Sequence, residues 1–164
     1  MFVAEDGTGL STANSLVSLA YANDYWTDRP STAGAWATAT DPTKKEALMA
    51  ATTVVCGANF RGCPLLSSQS LPLPRVFPWI DDRDPGYMPT PILEAVCQMA
   101  VVHFTSPLTA GLKRGGEVAS ERAGPLSRSY FPGAPGGTTY RYVTGLLAPF
   151  LEDAGGEMEA VLSS

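Results

Sequence analysis

The stretch that most constrains this chain is 41–59, where a helix start signal and a helical apolar period coincide. Asp41 is suited to cap the free amides of a first turn, and Pro42 has its φ preset for helix and lacks the N–H that would go unpaired there. Downstream, Ala47, Leu48, Ala51, Val54, Val55 and Ala58 recur at three- and four-residue steps, while Lys44, Lys45 and Glu46 crowd the exposed first turn. Gly57 offers a left-handed exit. A stripe made of alanine and valine lets a second helix approach closely, so 41–59 reads as the central helix of a small bundle. A partner helix begins at Thr90-Pro91, with Ile92, Leu93, Val96, Met99, Ala100, His103 and Phe104 giving a broad apolar face. An earlier helix runs from a cap at Ser15 or Ser18 to about Asp28, its apolar side formed by Leu19, Ala22, Tyr25 and Trp26. Trp36, on the small-residue connector 34–40, reads as a core plug.

With 164 residues and 45% apolar content, the chain has material for one real core. Its 16 glycines and 14 prolines predict long irregular connections. The fold class expected is mainly α, a small helical bundle with a β-hairpin and long Pro/Gly-rich loops, or α+β. A single domain is expected over 1–151, with the helical core at about 18–105 and an acidic tail at 152–164. Phe2–Ala4 reads as a short strand broken by the Asp6-Gly7-Thr8-Gly9 turn. The segment 63–89 holds six prolines and no periodic pattern, and is expected to be an extended arm.

Several kinds of chemistry find no support. The formal charge of −5 and pI near 4.7 argue against a surface given over to nucleic acid. Cys56, Cys63 and Cys97 form no Cys-x-x-Cys pair and read as reduced thiols rather than a zinc site or disulfide framework. Asp81-Asp82-Arg83-Asp84 fails as a calcium loop, because position 12 is Ile92 and the glycine register is wrong. His103, the only histidine, has no nucleophile elbow or metal motif beside it and reads as a packing or dipole-complementing residue. No phosphate loop is present. The chain is therefore expected not to be an enzyme and to need no cofactor or metal. Its acidic, Gly-rich start and its lack of a long apolar run predict a soluble protein made in the cytoplasm, with no membrane partner.

Charge is unevenly distributed. From 106 to 141, Lys113, Arg114, Arg122, Arg128 and Arg141 face only Glu117 and Glu121, whereas everything charged after 141 is acidic. A hairpin is expected at about 113–131 around the Ala123-Gly124-Pro125 turn, with Val118, Ser120 and Arg122 across from Leu126, Arg128 and Tyr130. Two readings of its basic residues are open: contact with a nucleic acid, or ordinary edge protection. Tyr140, Val143, Leu146, Leu147, Phe150 and Leu151 form a final amphipathic helix at about 140–151, packed at home or docked on a partner.

The run Glu5-Asp6-Gly7-Thr8-Gly9-Leu10, then Ala13-Asn14-Ser15, then Tyr21 and Tyr25, resembles the opening of a tailed-phage family often labelled DnaT-like single-stranded-DNA-binding proteins. The similarity continues through Lys45, Ala47-Leu48, Ala51-Thr52, Phe60-Arg61-Gly62, Gln69 and Pro74-Arg75. It resumes at Gly116-Glu117-Val118 and Gly124-Pro125 and ends at Leu146-Leu147, Pro149 and Leu151. Members resemble head-tail connector adaptors of the phage neck, which form a ring, usually of twelve, beneath the portal. The resemblance implies a structural virion protein of viral assembly, a dodecameric ring bound to the portal protein, to neighbouring copies of itself and to the next neck or tail protein. Double-stranded DNA would pass non-specifically through its channel. Within that picture Lys113, Arg114, Arg122 and Arg128 are expected to line the DNA channel. Tyr140, Leu146, Leu147, Phe150 and Leu151 are expected to dock on the portal or next neck protein, and the 63–89 arm to lie across a neighbour. The alternative implied by the label is single-stranded DNA binding.

Overall fold

A computed structural model of the chain describes residues 1–77, 87–108, 120–123, 126–129 and 140–152. In chain order the helices are α1 (Leu19–Thr27), α2 (Pro30–Ala33), α3 (Ala35–Thr38), α4 (Asp41–Cys56), α5 (Thr90–Thr105) and α6 (Arg141–Leu147), the last continued by a 3₁₀ turn at Ala148–Phe150. Two antiparallel ribbons complete the described elements: β1 (Cys63–Pro64) with β2 (Arg75–Val76), and β3 (Ser120–Ala123) with β4 (Leu126–Ser129). The fold is thus mainly helical with a small β component, as the apolar periods predict.

The pairing of α4 with α5 is the backbone of the core, and α6 packs on the same α5. Small side chains make the first contact close: Ala47, Ala50 and Ala51 on α4 and Ala95 and Ala100 on α5 are all buried. Leu48, Val55, Ile92, Val96 and Met99 fill the remaining volume. Burying each side chain of this size contributes roughly 1.5–3 kcal/mol. Ser18 caps α1, its hydroxyl accepting from the Tyr21 amide at 3.1 Å.

The ends of α4 differ from the expectation. Thr40 occupies the cap position in extended conformation, and Asp41 is the first helical residue, where its charge complements the helix dipole instead. At the other end Gly57 stays right-handed at φ −70, its N–H donating to the Val54 carbonyl at 3.1 Å while the Ala58 N–H donates to the Val55 carbonyl at 3.2 Å. The reversal is deferred because Ala58 and Phe60 are themselves buried. It falls on Gly62, at φ +78, where a Cβ would collide with the Val76 carbonyl.

The opening segment is a closed loop laced to the core. Ala4 pairs with Ser15 in a parallel bridge. Glu5 is 8% exposed, and its carboxylate accepts from the amides of Gly7 (3.1 Å), Gly9 (2.8 Å) and Leu10 (3.0 Å). Asn14 accepts from Val3 N–H at 2.9 Å, and the buried Thr52 hydroxyl on α4 accepts from Leu16 N–H at 3.1 Å. Most of the residues that make the opening distinctive in sequence are therefore loop builders.

The 63–89 segment is not a free arm over its first part. Residues 63–77 fold back on their own domain, β1 pairing with β2 and Leu73, Pro74 and Phe77 buried. Ser70 donates to Ala13 carbonyl (2.5 Å) and Leu10 carbonyl (3.1 Å), and Gln69 accepts from Leu66 N–H at 2.8 Å. Arg75 stitches the ribbon base, donating to the Arg61 carbonyl at 2.9 Å and to the Gly62 carbonyl. Proline-rich sequence hides such order because its bonds run to side chains and distant carbonyls, which leave no period. Residues 78–86 lie outside the described residues.

Candidate nucleic-acid interface

The residues expected to dock on a partner are placed at home. Leu147 is 0% exposed and Leu151 is buried, while Tyr140, Leu146 and Phe150 pack half-buried against the same core. Phe150 meets Phe77, ring centroids 5.7 Å apart. The backbone is tied as well: Phe60 bridges Leu151, Arg61 N–H donates to Phe150 carbonyl and Glu152 N–H to Asn59 carbonyl, both at 2.9 Å. A short helix needs somewhere to bury its stripe, and in the isolated chain its own core takes it. What α6 leaves outside is Arg141 and Tyr142, the latter 60% exposed.

Of the four basic residues assigned to a channel, Lys113 and Arg114 lie outside the described residues, and Arg122 and Arg128 are described by backbone pairing alone. Over the described residues the ribbon is shifted by one residue from the expected register. Arg128 stands across from Glu121, and Arg122 across from Ser127. Directly opposed residues share a face and successive ones alternate, so the two arginines hold positions of opposite parity. Ala123 stands against Leu126, and that pair fixes every later one.

A polar clasp joins α1 to α5. The Arg29 guanidinium lies 3.8 Å above the Tyr25 ring and pairs with Glu94 at 3.4 Å, while Gln98 donates to the Tyr25 hydroxyl at 2.7 Å. Burial raises the Tyr25 phenol above its ordinary value, opposed in part by the Gln98 bond and the Arg29 charge. These groups satisfy one another, and the arrangement orients α1 rather than offering free chemistry.

A cleft that combines an aromatic wall with a cation lies on the other side of α1. Asn23, Trp26 and Thr27 of α1, Pro30, Ala33, Trp36 and Ala37 of the α2–α3 corner, and Lys44 of α4 enclose about 400 Å³. Trp36 Nε1 donates to Asn23 Oδ1 at 3.1 Å, and Lys44 Nζ donates to the same oxygen at 3.2 Å. The ammonium also sits 5.3 Å from the Trp36 ring centroid. Trp36 is the core plug expected from its size, at 2% exposure. The cleft itself was not legible, since Asn23 and Lys44 sit on separate helices and nothing in the sequence couples them.

Catalytic arrangements are not assembled among the described residues. No group of three or more His, Cys, Asp or Glu there is placed to hold a metal. His103 Nδ1 accepts from Leu108 N–H at 3.1 Å, which makes it the cap of the α5 exit. Burial pushes the Cys56 and Cys97 thiols up to about 12, the opposite of an activated nucleophile. No helix among the described residues is long and apolar enough to cross a membrane.

The model of a family described as "Putative DnaT-like ssDNA binding protein" matches residues 1–163. Neither the curated proteins nor the solved structures contain a match.

Proposed function

Because this chain belongs to the DnaT-like ssDNA-binding protein family, we propose that it binds single-stranded DNA, weakly and with strong dependence on salt. The observation that carries the reading is the family match across residues 1–163. Charge sets its limits. With a net charge of −5, attraction to phosphate is confined to local patches, of which the five basic residues between 106 and 141 form the largest. The test is fluorescence anisotropy with a labelled oligothymidine at increasing salt. Four phosphate contacts give a log–log slope of roughly −3, and neutralising Lys113, Arg114, Arg122 and Arg128 together flattens it. Absence of binding at low salt, or a slope untouched by the fourfold variant, refutes the reading.

A second reading is supported by a different observation. The acidic balance that weakens a free-standing DNA binder is no handicap to a subunit of a phage neck ring, where a modest basic hairpin repeated by each copy sums to a substantial potential. In that case the chain is a head-tail adaptor that joins copies of itself on the portal protein and extends the channel for double-stranded DNA. Negative-stain imaging of the protein mixed with portal separates the two: a cap of density on the portal favours the adaptor, and its absence together with oligothymidine binding favours the first reading.

A further inference from the structure

The polar wall of the α1/α2–α3/α4 cleft is centred on Asn23 and Lys44. Asn23 Oδ1 already accepts from both Trp36 Nε1 and Lys44 Nζ, so its acceptor capacity is taken and the amide is locked in orientation. Lys44 keeps two further N–H donors, and no described carboxylate lies within ion-pair distance of it, the described ion pair being Arg29–Glu94. Thr27 gives its hydroxyl proton to the Asn23 carbonyl, which turns that group inward on its own helix. A second donor of the region, the buried Trp26 Nε1, has no acceptor at all. The Lys44 ammonium, half-buried against an indole and with no counter-ion among the described residues, is open to an anion.

Size and wall narrow the anion. About 400 Å³ is at the small end of ligand sites, enough for one nucleotide and too little for a strand. Pro30, Ala33, Ala37 and the two nearly covered tryptophans supply the apolar part of the lining. With Trp26 at 3% exposure and Trp36 at 2%, recognition is by shape and charge rather than by an open stacking platform.

We propose that this cleft holds one nucleotide of a bound single strand, its phosphate on Lys44 and its base against the apolar wall of the α2–α3 corner. The proposal rests on the single-stranded-DNA reading and adds to it a specific pocket away from the basic hairpin. The full chain is used throughout, with thymidine monophosphate and oligothymidine as probes. The readouts are oligothymidine affinity and the NMR signals of the Trp36 indole and Asn23 side-chain amide. Lys44→Gln removes the charge, Ala37→Glu places a carboxylate at the mouth, and Lys45→Gln, on the next position of the same helix, is the control. The expected result is that both probes shift the Trp36 and Asn23 signals, and that Lys44→Gln and Ala37→Glu weaken oligothymidine binding roughly three- to tenfold at low salt while Lys45→Gln does not. Tight oligothymidine binding with unmoved Trp36 and Asn23 signals and unaffected variants overturns the cleft and leaves the strand-binding reading intact. Signals moved by the mononucleotide alone, with no oligothymidine binding, overturn the strand as occupant, and no response to either probe overturns both. A variant that fails to fold does not decide the matter, because the signals of the unmodified chain still do.

Discussion

Gly62→Ala tests the backbone logic of the 60–77 region, and its cost is built from separate parts of the structure. Gly62 holds φ +78, which costs an L-residue roughly 1–2 kcal/mol. The added Cβ also meets the Val76 carbonyl oxygen, a backbone atom of β2 that cannot rotate out of the way. Relief requires β2 to move, and the same residues anchor Arg75, whose guanidinium donates to the Arg61 and Gly62 carbonyls. Losing one such charge-assisted bond costs about 1.5–3 kcal/mol. The sum is roughly 3–5 kcal/mol, a large share of the 5–15 kcal/mol that holds a typical domain. Gly145→Ala is the counterpart. Gly145 lies inside α6 with nothing within 4 Å of a built Cβ, so alanine there should stabilise by roughly 0.5–1 kcal/mol. Urea denaturation followed by circular dichroism reads both. The first variant should lose about 6–20 °C and the second gain about 1–4 °C in a parallel thermal scan. If Gly62→Ala unfolds at the wild-type midpoint, Gly62 is not the reversal point and the fold of 60–77 described here is wrong.

Leu147→Ala, at a position with 0% exposure, should cost about 2–5 kcal/mol in the same denaturation assay; an unchanged midpoint would return α6 to the role of a docking helix. A thiol reagent at neutral pH should modify Cys63, which is exposed, well before Cys97, which is buried and pushed up to about 12, with Cys56 in the slow class as well. The same thiols make stability fall with alkali: in the unfolded chain they ionise near 9.0 and in the folded chain near 12, so the native state holds more protons between these values. Each then removes roughly 1.4 kcal/mol per pH unit across that window, and loss of the slope in a Cys56→Ala/Cys97→Ala double variant identifies its source.

What could be read in the sequence was whatever repeats on one helix. The stripes of α4 and α5 and the caps of α1 follow from spacing alone, because each records a local period of burial. The exit of α4 did not, since Gly57 and Gly62 are equally plausible glycines and the choice depends on whether Ala58 and Phe60 find a core to enter. The 63–77 segment was opaque for a related reason: Arg75 and Ser70 spend their donors on carbonyls far away in sequence, and such bonds have no signature. For α6 both outcomes use the same stripe, so spacing predicted an apolar face and could not choose its partner. The Lys44 cleft exists only once α1 and α4 are laid side by side, so no reading of either helix contains it.

The ties between residues 59–61 and residues 150–152 have a consequence during synthesis. Phe60 leaves the ribosome long before Leu151, and at usual elongation rates the interval is roughly 5–20 s. Until then the backbone groups of 59 and 61 have no strand to bind, and Phe77 lacks the Phe150 ring that covers it. The growing chain therefore carries an open apolar floor that only its own late residues can close. A chain interrupted before 150–152 keeps that floor exposed, so proteolysis should remove such copies selectively, and the emergence of these residues becomes the event that licenses the fold.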